Sequence, residues 1–133
     1  MEMSIEIDQE FSVIGTDDRL STRFAEASST SPVVVEQQLY EDLGSDEEWG
    51  ERVGDLRGVC FPVGQGQALC NVVLRFDGKL GKGSVSAAGI LDVAGEADLS
   101  GAMAISGGTG PFRQRRGELQ VTSWNPKRWR LAV

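Results

Sequence analysis

The chain has 133 residues with a formal net charge of −7, and it is 40% apolar and 25% charged. That is the make-up of one globular domain, and it excludes a disordered or collagen-like chain. With no histidine, imidazole bases, Ser–His and Cys–His pairs and His-ligated metals are excluded. Fifteen acids against three bases before residue 56, and five against ten after it, make an acidic chain; neither nucleic acid nor an anionic membrane is an expected partner.

The opening MEMSIEIDQE is acidic where a secretory signal is basic and then apolar, which predicts a cytoplasmic protein. Ile5 and Ile7 alternate with acids, and Phe11, Val13 and Ile14 follow, the pattern of an extended piece. Asp17 or Asp18 is placed to cap a short helix to about Ala27, with Leu20 and Phe24 four apart on one face. Ser28–Pro32 then breaks it. The side chains of Ile5, Ile7, Phe11, Leu20 and Phe24 are too many to leave in water. Residues 1–32 are therefore expected to form a lid docked on a core of residues 33–133, and deleting residues 1–31 is expected to leave that core folded.

Glycine marks the next boundary, with Gly15 alone before residue 44 and sixteen glycines after it. Such spacing punctuates short strands and tight turns. Strands are predicted at about 33–41, 52–62, 67–77, 83–93, 98–106, 115–124 and 127–133, with hairpin turns at Asp77-Gly78 and Ala94-Gly95. Consecutive antiparallel strands without intervening helices give a sandwich or a closed barrel, and closure removes exposed edges. The acidic stretch Glu41–Glu51 lacks the alternating ligands of a calcium loop and reads as a solvated connection. Cys60 and Cys70 are too few for a disulfide scaffold and read as reduced core thiols.

The sharpest motif is Gly107-Gly108-Thr109-Gly110-Pro111-Phe112-Arg113-Gln114-Arg115-Arg116-Gly117. A phosphate loop needs such glycines to open directly into a helix. Here Pro111 follows, and then Gly117 with the alternating Leu119-Val121 of a strand, so a nucleotide site is not predicted. From Gln114 onward, strand alternation puts Arg116, Glu118, Gln120, Thr122 and Trp124 on one face. Arg115, Gly117, Leu119 and Val121 fall on the other, and parity alone does not say which face is inside.

Gly107, Gly108, Thr109, Gly110, Phe112, Arg113, Arg116 and Gly117, with Phe76-Asp77-Gly78, Gly83-Ser84 and Gly89 upstream, resemble the allene oxide cyclase and dirigent family over about residues 52–124. The resemblance implies an all-β fold, an eight-stranded antiparallel β-barrel with a ligand-sized lumen, and hence one short strand more than counted above. Dirigent proteins tend to carry a lumen tyrosine where this chain has Gly81. They are also secreted and glycosylated, whereas no Asn-x-Ser/Thr site occurs here. The bacterial branch that forms spirotetronate or spirotetramate rings in polyketide pathways is similar in architecture, including an N-terminal lid. It implies an intramolecular [4+2] cycloaddition on a hydrophobic polyene, with no metal and no cofactor, in a homodimer. The resemblance places Arg116 inside the barrel, which makes Gln114 the expected catalytic amide donor, with Arg116 and Glu118 paired beside it and Tyr40, Met103 and Trp124 lining the substrate. Two further readings are a lipophilic carrier without catalysis and an allene-oxide-type fatty-acid cyclase.

Overall fold

The computed structural model describes residues 11–16, 32–45, 48–94, 98–125 and 128–133. Eight strands follow in chain order: β1 (Ser12–Thr16), β2 (Val33–Asp42), β3 (Trp49–Gly64), β4 (Gln67–Gly78), β5 (Gly81–Ala94), β6 (Asp98–Thr109), β7 (Glu118–Asn125) and β8 (Arg128–Ala132). Each is antiparallel to its neighbours, and β8 pairs with β1 to close the barrel. The eight-stranded closed barrel is thus as expected.

The eighth strand is β1, and it comes from the segment assigned to the lid. Its short run Ser12-Val13-Ile14-Gly15-Thr16 completes hydrogen bonding on the free edges of β2 and β8, which a closed sheet cannot leave open. Phe11 extends the seam, exchanging main-chain hydrogen bonds with Val133 at 2.7 and 3.3 Å. The rest of the expected lid, including the proposed cap, the helix and Ile5, Ile7, Leu20 and Phe24, lies outside the described residues.

Period-two patterning sets the interior. Along β2, Val33, Val35, Gln37 and Leu39 are buried while Val34, Glu36 and Gln38 are exposed; along β4, Ala68, Cys70, Val72, Leu74 and Phe76 turn inward. Apart from Val33 and Gln37, these buried residues form one continuous core with Leu56, Leu91, Leu99, Met103, Leu119, Trp129 and Leu131. Each large apolar side chain so buried contributes roughly 1.5–3 kcal/mol. On the outer wall, Phe61, Leu69 and Ile90 stand directly opposite one another on β3, β4 and β5 and remain exposed.

The β3–β4 hairpin turns at Gln65-Gly66, both at positive φ (57° and 71°), the twist that suits a two-residue connection. That turn sets Cys60 directly opposite Cys70 on the inner face, with Cα atoms 4.1 Å apart, and the two are disulfide-bonded. The reading of reduced thiols is corrected accordingly. The next hairpin turns at Lys79-Leu80 rather than at Asp77-Gly78, which belong to the end of β4. No helix among the described residues is long and apolar enough to cross a membrane.

Candidate functional site: the barrel interior

One end of the barrel is plugged by aromatic rings. Phe11, Phe76 and Phe112 meet there, with centroids 5.8 Å (Phe11–Phe76), 5.9 Å (Phe11–Phe112) and 4.9 Å (Phe76–Phe112) apart. Phe112 comes from a single 3₁₀ turn, Gly110–Phe112, that follows β6. The glycine motif makes this turn fit. Gly110 sits at φ 61°, and a Cβ on Gly108 would collide with the main-chain oxygen of Phe112. Arg115 then folds back over the plug. Its guanidinium carbon lies 5.4 Å from the centre of the Phe11 ring, and its Nη2 donates to the main-chain oxygen of Val133 at 2.5 Å. Only 8% of Arg115 is exposed, so the signature serves the closure of the barrel end.

This geometry reverses the expected faces after Gln114. Arg115, Leu119 and Val121 are buried, whereas Gln114, Arg116, Glu118 and Gln120 are exposed. The physical reason is that β7 begins at Glu118 and turns its apolar Leu119 and Val121 to the core, which leaves the polar row to water. Arg116 donates to the main-chain oxygen of Arg115 at 3.0 Å, and Glu118 accepts from Gln120 at 2.9 Å, so the expected Arg116–Glu118 pair is not formed. Tyr40 lies half-buried on the outer face, its ring 6.1 Å from that of Trp49. Met103 does face the interior and is fully buried. The Trp124 side chain lies outside what the structure describes.

The interior carries a different polar pair. Gln37 is 2% exposed, and neither Oε1 nor Nε2 has a hydrogen-bond partner; Trp129 is fully buried, and its Nε1 has none either. Both flank Gly15. Trp129 stands opposite Gly15 on β8, Leu39 stands opposite it on β2, and Gln37 is two residues along β2 on the same inner face. The Gln37 carboxamide lies where a Cβ on residue 15 would be; only glycine there leaves it room. The two donors thus belong to strands two spacings apart, about 10 Å between backbones. An unpartnered buried amide costs about 1–3 kcal/mol, and such groups in native folds call for an explanation. Sequence reading missed Gln37, although the alternation of Val33, Val35 and Leu39 already placed it on the apolar face.

Charged groups outside the barrel satisfy one another. Arg75 pairs with Asp55 at 2.8 Å and Arg52 with Asp77 at 3.0 Å. Asp55, Arg75 and Asp77 border an open depression of about 420 Å³ that also includes Lys82, Ser84 and Thr109. The Arg75 guanidinium, through its hydrogen bonds, holds the Asp55 carboxyl below its ordinary range. Across the closing seam, Asp42 accepts from Ser12 Oγ (2.7 Å), the Gly44 N–H (2.8 Å) and Arg130 Nε (2.8 Å). Burial pushes the Asp42 pKa up, but these hydrogen bonds and the Arg130 charge together take it below the usual carboxylate value.

The fold and interior define a class: a closed antiparallel barrel, plugged at one end, with an apolar interior that carries isolated neutral hydrogen-bonding groups. Among solved structures, pyocyanin demethylase is similar, with a TM-score of 0.60 and 21% identity over 94% of this chain and 100% of that chain. At that identity the likeness shows the fold. No family model and no curated protein matches the sequence.

Proposed function

We propose that the chain is a cofactor-independent cyclase that folds a hydrophobic polyene inside the barrel and promotes an intramolecular [4+2] cycloaddition to a spirotetramate or spirotetronate ring. The observation that carries the reading is the apolar interior with its two unpartnered donors, Gln37 and Trp129. A cycloaddition transfers no proton. It needs the diene and dienophile held together, an advantage of up to ~7–11 kcal/mol of which the tether already supplies part. A donor on the carbonyl conjugated with the dienophile adds a few kcal/mol when it is preorganised in a dry site, roughly the scale of one oxyanion-hole contact.

Two further features support this reading. The motif resemblance points to the branch that includes the spirotetramate-forming cyclase of pyrroindomycin biosynthesis, whose N-terminal lid is similar in position to residues 1–31. In addition, Thr16 and Val33 are the ends of β1 and β2 that lie away from Phe11 and the plug, and the proposed lid is the stretch of chain that joins them. The role given to Gln114 passes to an interior amide, because Gln114 itself faces solvent.

The test is incubation of the full chain with a linear polyene tetramate, with chromatography for an isomer of unchanged mass. A rate above the uncatalysed background supports the cyclase. Tight binding of the polyene with no new isomer establishes the carrier instead, which the same apolar lining equally suits.

A further inference from the structure

We propose that Gln37 and Trp129 form a two-donor cradle for the oxygen of a conjugated carbonyl, seated by Gly15, and that this cradle selects carbonyl ligands over carboxylates. The inference rests on the reading of the interior as a ligand site and names the group recognised there. A carbonyl oxygen has two lone pairs and accepts two hydrogen bonds. Gln37 Nε2 and Trp129 Nε1 are N–H donors on strands that flank β1, and both are buried without partners. The Gln37 Oε1 stays available for a neighbouring N–H or enol O–H of the ligand, so a lactam or an acyl enol satisfies all three atoms.

Charge decides against the carboxylate. Among the described residues the polar and charged residues buried as a whole are Gln37 and Arg115, and the shielded Asp42 carboxylate is already paired with Arg130 at the seam. Arg115 sits in the plug at the far end, over Phe11 and bonded to the Val133 oxygen. Around Gly15 the interior neighbours are Leu39, Leu131 and Val13. A localised carboxylate charge in that setting meets no counter-ion among the described interior residues and is strongly disfavoured, whereas a carbonyl gains two donors that otherwise have none. Admission of a ligand requires the packed interior to give, and the unbranched Met103 is the side chain best able to repack.

The experiment uses the full chain and three probes of similar carbon skeleton: β-ionone as the conjugated enone, the corresponding hydrocarbon, and β-ionylidene acetic acid as the carboxylate. Affinity is read by calorimetry, and the enone C=O stretch by infrared spectroscopy. Wild type should bind the enone more tightly than the other two and move its carbonyl stretch to lower wavenumber. Gln37→Leu and Trp129→Phe should each weaken the enone roughly 3- to 10-fold, the loss of about one neutral hydrogen bond. Each should leave hydrocarbon affinity unchanged and reduce the infrared shift. Gln37→Leu should also melt higher than wild type, because it removes an unpartnered amide, and it keeps the test decisive if Trp129→Phe folds poorly.

Equal losses for enone and hydrocarbon, an infrared shift unaffected by either variant, a lower melting temperature for Gln37→Leu, or no enone binding by wild type would each overturn the cradle. Enone binding with these signatures but no cyclised product from the polyene tetramate rejects the cyclase reading alone.

Discussion

At the scale of single residues, Gly15 and Gln37 work as one unit. The side-chain oxygen of Gln37 lies where a Cβ on residue 15 would stand, so Gly15→Ala pushes the amide aside without a forbidden backbone angle. The atom displaced is the far end of a flexible side chain rather than backbone, so the stability cost should stay within about 1–2 kcal/mol. Enone affinity should fall as it does in Gln37→Leu. Titration of Gly15→Ala with β-ionone checks this, and wild-type affinity would show that Gly15 does not seat the amide. Gln37 was legible in the sequence only as a polar residue with inward parity between Val35 and Leu39. Its lack of a partner was not, because that depends on which strand closes over it. For the same reason Gln114 was misplaced: the side chains after it alternate correctly, but the choice of inner face rested on resemblance rather than on Leu119 and Val121.

At the scale of elements, β1 is held by more than its own ladder. Asp42 at the end of β2 reaches Ser12 on β1 and Arg130 on β8, which ties the three strands of the closing seam together. The Asp42 carboxylate is only 7% exposed, and its pKa lies below the ordinary value. A carboxyl depressed in the folded state contributes stability that is present above its unfolded pKa and lost as pH falls through the folded one. The wild-type melting temperature should therefore drop as pH falls below about 4. Asp42→Asn should cost about 1–3 kcal/mol at neutral pH and flatten that acid limb. Melting curves from pH 7 to pH 2 measure both; an unchanged acid limb in the variant would show that the latch does not set it. The seven strands after residue 32 were legible from glycine spacing and alternation, with ends shifted by up to three residues. β1 was readable only as an extended piece, since five residues carry too little pattern to say what they pair with.

At the scale of the whole molecule, closure changes what a truncation means. Deletion of residues 1–31 removes Phe11 from the plug and β1 from the wall, so the product should fail to give a native barrel. Replacement of residues 17–31 by a Gly/Ser linker of equal length isolates the lid instead. Its circular dichroism and melting temperature should stay close to wild type, while the cyclisation rate falls by orders of magnitude. Full activity in the linker protein would reject the lid. The disulfide was within reach of the sequence too: once the turn is set at Gln65-Gly66, Cys60 and Cys70 are cross-strand partners. The cytoplasmic expectation, in contrast, sits awkwardly with a disulfide, which persists mainly in oxidising compartments.

The strands around the closing seam are unequal. β1 and β8 are five residues each, against twelve for β4 and fourteen for β5. Short ladders open first in native-state fluctuations, so the amides of Val13, Ile14, Gly15 and Leu131 should lose protium to deuterium well before those of Val72 or Val85. Gly15 is also the floor beneath the Gln37 amide. A ligand held there binds only the sealed form, and mass action then pulls the seam shut. Addition of a saturating enone should slow deuterium uptake at Val13–Gly15 selectively, with β4 and β5 unchanged. Slowing spread evenly over all eight strands would show that occupancy and seam closure are not linked.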